Sequence, residues 1–421
     1  MQDKSVMEIT PAKLQGKVII PPSKSVAHRA IICASLAVGE SVISNISFSE
    51  DIKATIECMR SLGANIVEQG NSLRISGCSD KINTDIKFDC IESGSTLRFM
   101  VAIALAKNCG QNHFVGRGKL GTRPLNVYEK ICKEQNISYV NDSASNADNL
   151  LDLKVKGQLK SGIFAVQGNV SSQFITGLMF ALPILDGDSE IVIEGELQSK
   201  GYLDLTLSAL KEFGIEIVNE NYERFVIKGG QKYIAKDYTV EGDWSQAAFY
   251  EVANYLGNDV QMLGLNMESE QGDKVIVDFI KRLREADSGQ TLVFDGSDCP
   301  DIIPAFALAC CLRKGKSEIV NVSRLRIKEC DRLSATVAEL KKLGANIEDK
   351  EDAMSIVGVE ELQGADVETY NDHRMAMTLA IATTRVNGKV KFSNYKCVSK
   401  SYPNFFEDYN SLGGKTEIIN K

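Results

Sequence analysis

Several short segments of this chain combine residue types whose chemistry exceeds what packing needs. Pro21-Pro22 ends a strand near residues 18–20, and a helix follows from about Ser25. Lys24, Ser25 and Arg29 then lie at a helix N-terminus, where free N–H groups and the helix dipole favour anions. Glu92-Ser93-Gly94-Ser95-Thr96 opens an apolar helix in the same way. Residues 115–124 (VGRGKLGTRP) place three glycines among Arg117, Lys119 and Arg123, a basic loop of the kind that closes on anionic ligands. Ser171-Ser172-Gln173 and Ser199-Lys200-Gly201-Tyr202 each precede a helix with hydroxyl and amide groups that suit a phosphate or a polyol. Asp301 stands at the mouth of an apolar helix, where a carboxylate caps the helix or acts as a base. In residues 324–333 (RLRIKECDRL), Lys328, Glu329 and Arg332 alternate charge, a setting for proton transfer beside anion binding. Asp372-His373-Arg374 opens another apolar helix, and Lys400 follows in 397–403 (CVSKSYP). A capped helix or a solvated charge explains several of these segments singly; their number and kind point to a site for small polyanions.

The elements that position them recur along the chain. Residues 51–77, 203–229 and 332–358 share one plan: an amphipathic helix, a glycine stop (Gly63, Gly214, Gly344), a strand, a polar turn and a second strand. Weaker copies begin near 125, 274 and 403, giving six units spaced by roughly 60–75 residues, too long for a solenoid repeat. In the copy at 274 the helix 275–286 is followed by a strand at 291–294, and in the copy at 125 the polar loop 141–149 joins two strands. Segments 95–106, 172–182, 301–311 and 373–383 are apolar all round and predict buried helices. Three units before residue ~235 and three after predict two similar lobes, with helices inside, sheets outside and a ligand cleft between lobes.

Composition narrows the function classes. Against 48 Lys plus Arg stand 56 Asp plus Glu, a formal charge of −8, which disfavours a nucleic-acid or membrane-surface binder. No apolar run reaches a membrane span, and the N-terminus lacks a signal-peptide core. Eleven scattered cysteines, with no CxxC, predict free buried thiols in a reducing cytoplasm. Three histidines without i+3 or i+4 partners predict no zinc site.

The ordered set SKSxxxR, SGSTxR, GxxxRP, SSQF, SKxY, EGDWS, DxxPA, LRxKECDR, YNDHRMAM and KSYPNF resembles the 5-enolpyruvylshikimate-3-phosphate synthase (3-phosphoshikimate 1-carboxyvinyltransferase) family of enolpyruvyl transferases. The resemblance covers essentially the whole chain, and its NDHRMAM and KECDR segments are specific. It implies an α/β fold: a two-lobed inside-out α/β barrel, each lobe built from three βαβαββ units. Residues 1–20 and 237–421 would form one lobe and 21–236 the other, with the active site in the interdomain cleft. It implies transfer of the enolpyruvyl group of phosphoenolpyruvate to the 5-hydroxyl of shikimate 3-phosphate, through a tetrahedral intermediate and with release of phosphate. No cofactor, metal, nucleic acid or membrane is implied; the expected protein is a cytoplasmic monomer in aromatic amino-acid biosynthesis. By the same resemblance, Lys24, Ser25, Arg29, Ser171, Ser172, Gln173, Ser199, Tyr202, Asp301 and Lys328 would bind shikimate 3-phosphate. Lys24, Gly94, Arg123, Gln173, Arg332, Arg374 and Lys400 would hold phosphoenolpyruvate. Glu329 would donate a proton to carbon, Asp301 would be the base on the 5-hydroxyl, and His373 and Lys24 would assist.

Two departures stand out. Well-known bacterial and plant members carry Asn-Ala-Gly-Thr-Ala where this chain has Glu92-Ser93-Gly94-Ser95-Thr96, which bears on glyphosate sensitivity and not on the reaction. Arg324 stands where those members have asparagine. The sister enzyme acting on UDP-N-acetylglucosamine usually has a cysteine where this chain has Gly118, and Lys-Asn where it has Lys24-Ser25. RNA 3′-phosphate cyclases, which reuse similar units, fit neither the charge nor the motifs. A non-catalytic sugar-phosphate-binding relative would lack at least one of Asp301, Glu329 and Lys24, and all three are present.

Overall fold

The structure, a computed structural model, describes residues 5–78, 82, 84–108, 110–145 and 150–420. The chain divides into two compact units, Pro22–Glu241 and Met1–Pro21 with Gly242–Lys421. The return crossing lies five residues beyond the expected 236/237. Asp237 Oδ1 accepts from Val42 N, Tyr238–Thr239 pairs with Ile43–Ser44, and Glu241 O accepts from Ser23 N, so 237–241 belong with 22–236.

In the 22–241 unit six helices alternate in character. Helices α1 (Lys24–Leu36), α3 (Gly94–Lys107) and α5 (Ser172–Ala181) are buried almost all round. Helices α2 (Glu50–Ser61), α4 (Asn126–Glu134) and α6 (Lys200–Glu212) bury one apolar face. Three four-stranded sheets pack their alternating apolar residues onto these helices. Each repeats one pattern, a parallel pair followed by two antiparallel pairs. Ile86–Asp89, Gln111–Gly116, Leu151–Lys156 and Ser138–Asn141 form one such sheet, with Ile86 opposite Asn112 and Gln111 opposite Lys156. The expected glycine stops hold: Gly63, Gly214 and Gly344 have φ of +106°, +78° and +91°, which other residues adopt at a cost.

The other unit continues the alternation. Helices α7 (Trp244–Tyr255), α9 (Ile303–Cys311) and α11 (His373–Ala382) are buried; α8 (Ile276–Glu285) and α10 (Arg332–Lys342) are amphipathic, and α12 (Phe405–Ser411) is short. Leu292–Asp295, Lys316–Val320, Ala353–Val357 and Asn346–Lys350 repeat the sheet pattern. A second sheet is completed by the chain's own start: Ser5–Thr10 lies between Val390–Ser393 and Lys415–Asn420. The copy at 274 departs from its plan, because α8 has no hairpin of its own. Leu292–Asp295 instead opens the next sheet, and the third sheet position holds only Gln15–Ile19 paired with Asp259–Leu263.

Among the described residues all ten cysteines are buried free thiols, and no helix is long and apolar enough to cross a membrane. Cys109 and part of the 141–149 loop lie outside the described residues.

Candidate functional site

The residues singled out above gather at the N-termini of the helices, and each unit carries its own group. Serine and aspartate side chains fix these starts: Ser23 caps α1, Ser93 caps α3, Ser171 caps α5 and Asp372 caps α11. Each cap is worth about 1 kcal/mol and leaves the remaining N–H groups of its first turn available to an anion.

In the 22–241 unit, Lys24 opens α1 and its Nζ lies 2.7 Å from Asp51 Oδ2, in the first turn of α2. Arg29, one turn on, is buried. Its Nε donates to Thr206 Oγ1 (2.9 Å), Nη1 to Ser25 O (2.6 Å) and Nη2 to Tyr202 O (2.8 Å), and it rests over the Phe99 ring. Burial draws the guanidinium down to about 10, still charged at neutral pH. Arg29 thus ties α1 to the start of α6, near Ser199. Ser199 is buried and held at φ +61°, a left-handed conformation unusual for serine.

Gly94 opens α3 because a guanidinium occupies the place of its missing side chain: a Cβ there would lie 2.3 Å from Arg123 Nη1 and 3.2 Å from Arg98 Nη1. Arg98 Nη1 donates to Gln173 Oε1 (2.6 Å), and Gln173 Nε2 donates to Ser95 Oγ (2.8 Å). Arginine offers only donors, so this pairing fixes the orientation of the Gln173 amide. The starts of α3 and α5 are thereby joined, beside buried Ser171 and Ser172. Behind them runs a buried chain: His28 Nδ1 to Thr55 Oγ1 (2.7 Å), Thr55 to Thr96 (2.7 Å) and Thr96 to Ser93 Oγ (2.8 Å). It locks α1, α2 and α3 together. Burial, aided by Lys24 and Arg29, holds His28 well below the usual histidine range, so it is neutral.

In the other unit Asp301 does not cap α9, contrary to the local expectation. The helix starts at Ile303 with Ile302 before it and no side-chain cap. The Asp301 carboxylate is drawn to three cations instead: Arg332 Nη1 at 3.0 Å, Lys328 Nζ at 3.4 Å and Arg374 Nη2 at 3.5 Å. Burial would raise its pKa, but Lys328, Arg374 and Arg332 outweigh that and hold it well below the usual carboxylate range. Arg332, almost wholly buried, also binds Glu329 Oε2 (2.6 Å) and grips Asp372 through Nε (2.9 Å) and Nη2 (3.2 Å). Burial lowers the Lys328 ammonium, partly offset by Asp301. Arg374 is buried, with Nη1 on Ser245 O (2.9 Å) and Nη2 on Ser245 Oγ (2.8 Å). Lys400 Nζ donates to Asn371 O (2.9 Å), and His373 is the buried first residue of α11.

Four residues outside the expected set prove integral: Arg98, Asp51, Asp372 and Ser245. Arg98 was detectable, one helical turn after Gly94, and Asp372 stands within the NDHR motif. Ser245 closes the EGDWS motif, whereas Asp51 has no local signature.

Taken as chemistry, the arrangement offers two carboxylates sharing an arginine, within a set of anion-binding cations and helix N-termini. Comparisons with known proteins agree. The profile of the family "EPSP synthase (3-phosphoshikimate 1-carboxyvinyltransferase)" matches residues 9–409. Curated relatives bearing the name 3-phosphoshikimate 1-carboxyvinyltransferase include those of Clostridium beijerinckii (51% identical; 97% of this chain and 97% of the relative), Clostridioides difficile (51%; 98% and 99%) and Clostridium perfringens (52%; 96% and 98%). An EPSP synthase structure from Acinetobacter baumannii superposes with a TM-score of 0.78 over 99% of this chain and 100% of that one, at 21% identity, and so shares the two-lobed α/β fold. The chain belongs to the EPSP synthase family.

Proposed function

We propose that this enzyme moves the 1-carboxyvinyl group of phosphoenolpyruvate onto the 5-hydroxyl of shikimate 3-phosphate and releases phosphate. It would act as a cytoplasmic monomer on two small molecules. The observation that carries the reading is the shared Arg332: Glu329 lies 2.6 Å from it and Asp301 3.0 Å, so an acid and a base stand among cations suited to polyanions.

The residues of both units serve one reaction in this reading. Arg332, Arg374 and Lys400, with Lys24, Arg123, Gly94 and Gln173, hold phosphoenolpyruvate. Ser25, Arg29, Ser171, Ser172, Ser199, Tyr202 and Lys328 hold shikimate 3-phosphate. Glu329 gives a proton to the methylene carbon while the 5-oxygen bonds to the adjacent carbon and Asp301 takes the hydroxyl proton. Loss of a methyl proton and cleavage of the carbon–phosphate oxygen bond then regenerate the double bond and expel phosphate. His373 and Lys24 assist the proton transfers. Both kinds of step, neutralising anions and moving protons, lie within the reach of side chains, so the reaction needs no cofactor.

The pairing of Asp301 adds a condition. Held by three cations, Asp301 is a weak base. Substrate anions that draw Lys328, Arg332 and Arg374 toward themselves restore its basicity, which ties proton removal to the presence of both substrates. The test is phosphate release by the purified protein, expected only when phosphoenolpyruvate and shikimate 3-phosphate are both supplied. Release with UDP-N-acetylglucosamine in place of shikimate 3-phosphate overturns the reading.

A further inference from the structure

The turn that precedes α11 is built against the preferences of its own residues. Asp372 N donates to Thr369 O (2.9 Å), closing a four-residue turn whose central residues, Tyr370 and Asn371, both have φ of +54°. Such turns favour asparagine and glycine; a bulky tyrosine avoids that conformation. Something outside the turn must hold Tyr370 there, and the structure shows what does.

The Tyr370 hydroxyl donates to Glu339 Oε1 at 2.8 Å. Glu339 is wholly buried and also accepts from Glu368 N (2.8 Å) and from Lys342 Nζ (2.8 and 2.9 Å). It sits two helical turns beyond Arg332 on α10, about 10 Å along the axis, and meets no substrate-binding group named above. Burial, the bond to Glu339 and the Glu339 and Glu368 charges push the phenol up to about 12, so it remains a donor throughout the working pH range.

Three cations depend on the turn. Lys400 donates to the carbonyl of Asn371, a central residue of the turn; Arg332 is gripped by Asp372; and Arg374 follows in the first turn of α11, its backbone N–H on Asp372 Oδ1 (2.8 Å). All three belong to the phosphoenolpyruvate set proposed above.

We propose that Glu339 and Tyr370 form a positioning latch, which holds the 369–372 turn so that Arg332, Arg374 and Lys400 are arranged to receive phosphoenolpyruvate while neither residue touches substrate. The proposal rests on the function proposed above, and one experiment separates the two. Phosphate release is measured with wild-type protein and with Tyr370→Phe, which loses a single hydroxyl. The variant's KM for phosphoenolpyruvate rises about tenfold, the effect of one lost hydrogen bond to a charged group. Its calorimetric Kd for shikimate 3-phosphate alone stays within about twofold. Tyr370→Gly, which loses the hydroxyl but takes up the turn without strain, shows a smaller rise. Glu339→Gln, which keeps an oxygen for the tyrosine, shows a smaller one. A wild-type KM in Tyr370→Phe, a rise in Tyr370→Gly as large as that in Tyr370→Phe, or equal weakening of both substrates overturns the latch. A wild-type protein that releases no phosphate from the two substrates overturns the function instead.

Discussion

Replacing Asp301 by asparagine keeps its shape and removes the charge that three cations share. Breaking a buried ion pair costs roughly 3–5 kcal/mol, because the remaining partner is left without compensation. Here the low end applies: the Asp301 side chain is 22% exposed and Arg332 keeps Asp372 and Glu329, so about 3 kcal/mol is expected. The chain's single tryptophan, Trp244, is buried at the start of α7 in the same unit, so its fluorescence follows the unfolding of that unit. With a urea slope of about 2–3 kcal/mol/M, the midpoint should fall by about 1 M near neutral pH. The pH dependence has a definite sign. The folded-state pKa of Asp301 is depressed below the unfolded value of about 3.9, so its contribution is present above about pH 4 and lost as pH falls further. The gap between wild type and variant should therefore narrow in acid. Turnover should drop by about 10²–10⁴, the loss typical of a general base. A neutral-pH midpoint within about 0.3 M of wild type, or a gap undiminished in acid, refutes the electrostatic reasoning. Near-wild-type turnover removes Asp301 from the role of base.

Other outcomes follow from the same geometry. Gly94→Ala should displace the Arg123 guanidinium, 2.3 Å from the new methyl, raising KM for phosphoenolpyruvate about tenfold while the urea midpoint barely moves; an unchanged KM would place Arg123 outside that pocket. Because burial depresses His28, the unfolded chain takes up a proton on acidification that the folded one refuses. Stability of the 22–241 unit should fall by up to about 1.4 kcal/mol per pH unit below about 6.5, read by circular dichroism in urea, and His28→Asn should flatten that slope. If substrates restore the basicity of Asp301, the acid limb of kcat should lie at higher pH than that of kcat/KM, which reports the free enzyme; coincident limbs would contradict the unmasking.

What could be read from the chain depended on the range of the interaction. The helix–glycine–hairpin plan is local, written in apolar spacing over some 25 residues, and Gly63, Gly214 and Gly344 terminate their helices as read. Asp301 shows where local rules fail. Its position suggested a cap, but three cations, brought from 27, 31 and 73 residues away, attract a carboxylate more strongly than one helix start does. The copy at 274 failed for a related reason: whether a strand closes its own unit or opens the next is decided by its partner, Lys316–Val320. Arg98 and Gln173, 75 residues apart, meet only because α3 and α5 are neighbours in the buried layer. The motifs therefore marked most ligand-binding candidates, whereas the pairings that orient them needed the fold.

Those orienting groups explain how an acidic chain can keep the cations of the proposed function without destabilising itself. Lys24 leans on Asp51; Lys328, Arg332 and Arg374 share Asp301; Lys400 rests on the Asn371 carbonyl; Arg29 is held by two carbonyls and a hydroxyl. With these partners none of these charges is left to repel its neighbours in a low-dielectric setting. In the proposed function a substrate anion displaces an internal partner. At Lys24, Lys328, Arg332 and Arg374 binding in that function becomes an exchange of ion pairs, weaker than the sum of its contacts, and frees an acid. Asp301 is one of the acids so freed, and it is the one proposed to need basicity for turnover. The internal carboxylates thus hold the cations in place, and in the proposed function Asp301 is released for proton transfer by the ligands that replace it.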